Sequence, residues 1–225
     1  MGERIKLTSR DGFSVNAYKA VPAGKPRGGV VLLQEVWGLN RWIRSEADRY
    51  AEAGYLCIAP ATMDRMEYGF ESENYGSDHF PKVGELMKSF DPAKVLLDIE
   101  AAAKEAASAG KVGVTGYCFG GAMTWRAAHA GLGLSAASSY YGGGVQNYID
   151  LAPTIPIECH FGDKDTGIPL EQVEALRKRY PEVPVYLYPG AVHGFCNADR
   201  PSNYNAQACK LANERTLAFF ARHLG

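Results

Sequence analysis

Gly116-Tyr117-Cys118-Phe119-Gly120-Gly121 decides how this chain is read. The residues before it, Lys111 to Thr115, have the character of a short buried strand, and Phe119 onward looks helical to about Ala130. A strand therefore turns straight into a helix at Cys118. The pattern is G-x-S-x-G with cysteine in the serine position, the sharp turn that exposes a nucleophile at a strand end. Such a turn requires glycine. The nucleophile takes a strained backbone conformation, and side chains at the flanking positions collide with the neighbouring strand and helix. Unpaired N–H groups at a helix start favour a thiolate over a thiol, and the Phe119 N–H can supply half of an oxyanion hole. The plainer alternative is a small buried cysteine held between packing glycines.

Outward from this turn, segments of two periods alternate. Val30–Leu33, Tyr55–Ala59, Leu134–Tyr141, Ile155–Phe161 and Val183–Leu187 read as strands. Between them, Asn40 caps a helix that stops at Gly54, and Asp91-Pro92 starts another that runs to about Gly110. Helices are also expected near Leu170–Tyr180 and Asn205–Leu224. Arg4–Thr8 and Phe13–Ala20, joined through Asp11-Gly12, form a hairpin. This order predicts an α/β fold: one domain over residues 1–225, a mostly parallel sheet with helices on both faces, and an N-terminal antiparallel edge. Ala61 to Pro81 is the one long irregular stretch, expected as a lid or binding loop, or else as a plain surface insertion.

Composition narrows the function classes. At 225 residues the chain can bury roughly 70% of its unfolded surface, so it needs no metal or disulfide staple. A net charge of −1 argues against a nucleic-acid or membrane surface. No apolar run approaches the ~18 residues of a membrane span, and Met1-Gly2-Glu3-Arg4 lacks a signal-peptide core. Five scattered cysteines read as reduced thiols in a cytoplasmic protein.

An elbow nucleophile requires a histidine base and an orienting acid, in the chain order nucleophile, acid, histidine. Asp165 follows the strand ending at Phe161, and His193 follows the strand ending near Leu187. Both stand at carboxyl ends of parallel strands, where open α/β sheets build their sites. Asp163 competes with Asp165 and suits a role satisfying turn backbone. His129 reads as a helix-end residue and His223 as part of the terminal helix, while His160 packs within a strand and His79 has no assigned role. Cys196 lies three residues after His193, but no further ligands suggest zinc, so no metal and no cofactor are expected. Glu35 stands at a strand end facing the presumed cleft, placed to hydrogen-bond or help activate the thiol, and the Val36 N–H next to it is the second candidate oxyanion donor.

With these residues in view, the chain resembles the dienelactone hydrolase family of the α/β-hydrolase fold over nearly its whole length. The resemblance rests on Gln34-Glu35-Val36-Trp37-Gly38-Leu39-Asn40, the cysteine elbow, Tyr140-Tyr141-Gly142, Asp165 with Pro169, His193-Gly194-Phe195 and Ala212-Asn213-Glu214-Arg215-Thr216. It implies a Cys118–His193–Asp165 triad, oxyanion amides from Val36 and Phe119, and hydrolysis of a small, anionic ester or lactone through a thioester. It also implies that Glu35 contacts the resting thiol and swings away when substrate arrives. Trp37, Tyr141 and Arg200 are candidate substrate contacts. In the type enzymes two arginines clamp the substrate carboxylate; here those positions fall near Phe80 and near Asn197, and Gly194 stands where serine is typical. Arg200 or Arg65 is then the expected substitute. Similar members are often monomeric, and a monomer is expected. A thioesterase, another acyl hydrolase on the same fold, or a redox-responsive thiol protein are the alternatives.

Overall fold

The parallel core of the sheet forms because β3 (Gly29–Leu33) and β5 (Val112–Tyr117) consist wholly of buried residues, as strands covered on both faces must. In the computed structural model, which describes residues 2–76 and 78–225, eight strands run in the order β1-β2-β4-β3-β5-β6-β7-β8. The remaining strands are β1 (Glu3–Thr8), β2 (Ser14–Ala20), β4 (Leu56–Pro60), β6 (Ala136–Tyr140), β7 (Ile157–Gly162) and β8 (Val185–Tyr188). From β4 through β8 all pairings are parallel, and the β1–β2 hairpin joins β4 antiparallel.

The helices are α1 (Arg41–Glu52), α2 (Phe80–Met87), α3 (Pro92–Ala106), α4 (Phe119–Ala130), α5 (Leu170–Arg179) and α6 (Ala206–His223). Three starts follow directly from side-chain chemistry. Asn40, Asp91 and Asn205 each accept hydrogen bonds from first-turn backbone N–H groups.

The segment expected to be irregular is partly ordered. Thr62–Arg65 forms a 3-10 turn, and α2 takes over from Phe80, with Pro81 in its first turn. Ser77 lies outside the described residues. This segment builds a small apolar cluster of its own, in which Met63, Phe70 and Val83 gather around Trp37. An isolated bridge between Gly38 and Glu71 and the Ser72 N–H bond to Trp37 O, 2.8 Å, fasten it to the loop after β3. No described helix is long and apolar enough to cross a membrane.

Candidate active site

The turn at Cys118 is strained as its sequence requires. Its φ of 55° and ψ of −114° lie where a residue with a side chain rarely goes. The strain is held by bonds on both sides: Cys118 N donates to Tyr140 O at 3.0 Å, and Gly120 N donates to Gln34 O at 3.0 Å. A side chain at Gly116 would strike the Gly120 carbonyl, and one at Gly120 would strike the carbonyls of Leu33 and Gln34. Those approaches bring the start of α4 against the end of β3. Neither the Val36 nor the Phe119 N–H donates to a described residue, so both are available to an oxyanion.

His193 comes to the thiol from the loop after β8. Its Nδ1 bonds Asp165 Oδ2 at 2.8 Å, while Asp165 Oδ1 accepts from the N–H groups of Gly167 (2.8 Å) and Ile168 (3.1 Å). The competing Asp163 instead accepts from Gly190 N at 2.6 Å, as a turn aspartate does. Burial disfavours a charged imidazole at His193. The neighbouring Cys118 and the hydrogen-bonded Asp165 outweigh it and raise the imidazole to about 11.

Glu35 is 1% exposed and does not hydrogen-bond the thiol. Its Oε2 accepts from Asn197 Nδ2 at 2.8 Å. Its Oε1 and the nearby Tyr141 hydroxyl are both buried without a hydrogen-bond partner of good geometry. Burial pushes the Glu35 carboxyl up, against the Asn197 donor and the positive charges of Arg200 and His193. Tyr141 stands edge-on to His193 with ring centroids 5.2 Å apart; burial, with Glu35 and Cys118 beside it, keeps its hydroxyl neutral.

The two arginine candidates part company. Arg65 is locked between Asp11 and Asp98, at 2.6 and 2.7 Å, with its side chain 7% exposed, and is not free to meet a substrate. The expectation of Arg65 as a substitute at the site is corrected by that double pairing. Arg200 makes no ion pair among the described residues. Its Nη1 lies 3.1 Å from where a Cβ on Gly194 would stand, and its guanidinium is 5.8 Å from the Tyr75 ring centroid. A Cβ at residue 194 would press on the Arg200 guanidinium, and the positive φ of 78° there disfavours any side chain. Trp37 is 2% exposed beneath Tyr75, His79 and Phe80, a floor for that segment more than an open substrate contact.

Asn197 and Tyr75 are the site residues that motif reading did not assign. Asn197 was visible only as a departure from the family's arginine. Tyr75 lay inside an irregular stretch with no periodicity to place it. A second correction concerns the cysteines. Cys196 and Cys209 are joined by a disulfide, their Cα atoms 4.8 Å apart, while Cys57, Cys118 and Cys159 are free. The chain doubles back after His193, with Asn205 N bonding Phe195 O at 3.0 Å, and so lays the first turn of α6 against Cys196. A separation of 13 residues does not announce that return. Among the described residues no cluster of three or more His, Cys, Asp or Glu side chains is arranged to hold a metal ion.

A parallel sheet with its antiparallel edge, a strained strand-to-helix turn and a histidine–aspartate pair at the strand ends define an α/β-hydrolase. The profile of the dienelactone hydrolase family matches residues 15–224, and the chain belongs to that family. It is 31% identical over 228 residues to a carboxymethylenebutenolidase of Pseudomonas putida, covering 97% of this chain and 96% of that one. A candidate dienelactone hydrolase from Klebsiella pneumoniae superposes with a TM-score of 0.84 at 30% identity, covering 99% of this chain and all of the other. A dienelactone hydrolase-like promiscuous phosphotriesterase from metagenomic libraries shares the fold, with a TM-score of 0.81 at 21% identity over 100% and 99% of the two chains.

Proposed function

We infer that the chain hydrolyses a small carboxylic ester or lactone through a thioester on Cys118. The observation that carries this reading is His193 standing between Asp165, 2.8 Å from its Nδ1, and a cysteine held at φ 55° on a helix start. In the proposed first step the thiolate adds to the carbonyl carbon, and the amides of Val36 and Phe119 receive the oxyanion. The tetrahedral adduct collapses, the C–O bond breaks, and the leaving oxygen takes the His193 Nε2 proton. Water then adds to the thioester, giving its proton to His193, and the C–S bond breaks to return the thiolate and release the acid.

Arg200 is proposed to receive an anionic group of the substrate from its place over Gly194, in a role the type enzymes give to other positions. Glu35, held by Asn197, is proposed as the gating carboxylate in its withdrawn position, with His193 left to pair with the thiolate. The loss of dienelactone ultraviolet absorbance, followed with wild-type protein and with Cys118→Ala, tests the reading. Turnover lost in the variant supports it; equal turnover in both proteins would overturn the assignment of Cys118.

A further inference from the structure

Beside the start of α4, which follows Cys118 directly, a cavity opens, about 240 Å³ in volume. Met87 and Phe90 wall it from the end of α2 and the turn that follows, Phe119 and Met123 from α4, and Asn147 and Tyr148 from the loop after β6. Two contacts attach it to the catalytic residues. Phe119, whose N–H is a proposed oxyanion donor, is part of its wall and packs edge-on against Phe90 at 5.2 Å. Gly143, also in the lining, would bring a Cβ to within 3.8 Å of His193 Cε1. The cavity therefore borders one residue that carries a proposed oxyanion donor and another that approaches the imidazole.

Its chemistry differs from that of the Arg200 side. No Lys, Arg, Asp, Glu or His lines it, and the polar side chains it presents are the Asn147 amide and the Tyr148 hydroxyl. Arg126 stacks on the Tyr148 ring at 4.6 Å without joining the lining. A charged group entering such a cavity would lose its hydration without gaining a partner, whereas an apolar one gains from leaving water. An apolar cavity of about 150 Å³ already admits a benzene ring, so this one suits a group of phenyl size.

We propose that this cavity is a substrate subsite for a neutral, apolar arm of about phenyl size attached to the scissile ester. The proposal deepens the hydrolase reading and rests on it for the position of the reacting carbon. It implies a two-sided substrate, with any anion toward Arg200 and an uncharged aryl or compact alkyl group between α2, α4 and the loop after β6.

The test uses the full chain and two ester series, one varying the alcohol (methyl against benzyl acetate) and one the acid (ethyl acetate against ethyl phenylacetate). At least one series is expected to gain tenfold or more in kcat/KM with the aryl arm. Met87→Lys is then expected to reverse an order, so that 4-carboxybenzyl acetate overtakes benzyl acetate. A merely damaged fold would slow both esters and leave their order unchanged. Binding is read separately by saturation-transfer NMR of benzyl acetate on Cys118→Ala protein; aryl signals should appear, and should fade when Met87→Lys is added.

The outcomes separate the two readings. Flat series, no reversal and no aryl signal, with Cys118 still acylated by p-nitrophenyl acetate, would overturn the subsite and leave the hydrolase. Aryl binding that Met87→Lys abolishes, with Cys118 never acylated, would support the subsite and overturn the hydrolase.

Discussion

Two glutamates in this molecule are each only 1% exposed, and they are held in different ways. Glu158, on β7, offers Oε1 to three partners: Ser138 on β6 at 3.2 Å, His160 at 3.1 Å and Thr216 on α6 at 3.1 Å. The network extends through His160 Nδ1 to the Tyr188 hydroxyl at 2.8 Å and through Thr216 to the Tyr140 hydroxyl at 2.7 Å. These partners ride on strands and on a long helix, so their positions follow from sheet register. Glu35 sits in a loop and has one hydrogen-bond partner, Asn197, which is 162 residues away in sequence. Multiple anchors on rigid elements make Glu158 a fixed part of the core. A single anchor between two loops holds Glu35 less firmly, as the gating role proposed for it requires.

If that contrast is right, chemistry belongs to the loop end of the sheet and stability to the β6–β7–α6 network. The largest effect expected is from Cys118→Ala, a loss of at least roughly a thousandfold in ester turnover, measured by stopped assays beside an unchanged melting curve. A melting curve displaced by many degrees would place Cys118 among the structural residues and break the contrast.

Glu158→Ala is expected to act the other way. It strands His160, Ser138 and Thr216 in a dry core and should cost about 3 kcal/mol of stability by denaturant titration. Turnover by the fraction still folded should be nearly normal; a collapse of kcat in folded protein would mean that the network reaches the site.

Arg200→Ala sharpens the electrostatic side of the comparison. KM for an ester bearing a carboxylate should rise about tenfold while that for a neutral ester stays put, since an exposed-side charge contact is worth roughly 1–2 kcal/mol to an anion. Equal effects on both esters would remove Arg200 from substrate recognition.

The smallest effect is a sign. Burial holds the Glu35 proton in the folded chain to higher pH than in the unfolded chain. Folding then takes up a proton between the ordinary glutamate value, about 4.3, and the raised folded one, so stability falls as pH climbs through that window and stays lowered above it. Glu35→Gln removes the burden while keeping a group that accepts from Asn197. Its melting temperature should exceed wild type at pH 8 and approach it at pH 4, and its Cys118 alkylation rate should change at neutral pH. A variant less stable than wild type at pH 8 would show that the carboxylate is well accommodated where it lies.

Much of the architecture was legible from local signals. The elbow glycines, the caps at Asn40 and Asp91, and the buried β-branched runs place most strands and helices to within a residue or two, because each is set by neighbours in the chain. Helix α2 was not legible, since His79 offers no side-chain cap and its apolar face meets Trp37, a residue from another loop. The Cys196–Cys209 disulfide was hidden for a similar reason.

By itself, then, the amino-acid order determined the class of fold and the strained turn at Cys118, and it offered Asp165 and His193, in that order along the chain, as candidate companions. Tertiary structure alone decided that Arg65 is consumed by Asp11 and Asp98 while Arg200 takes the space Gly194 leaves open, and that Asn197 meets Glu35. It alone opened a neutral cavity beside the start of α4. Backbone strain and capping act over a few residues, so a sequence displays them; the partner of a charge or the shape of a cavity depends on segments that only folding brings together.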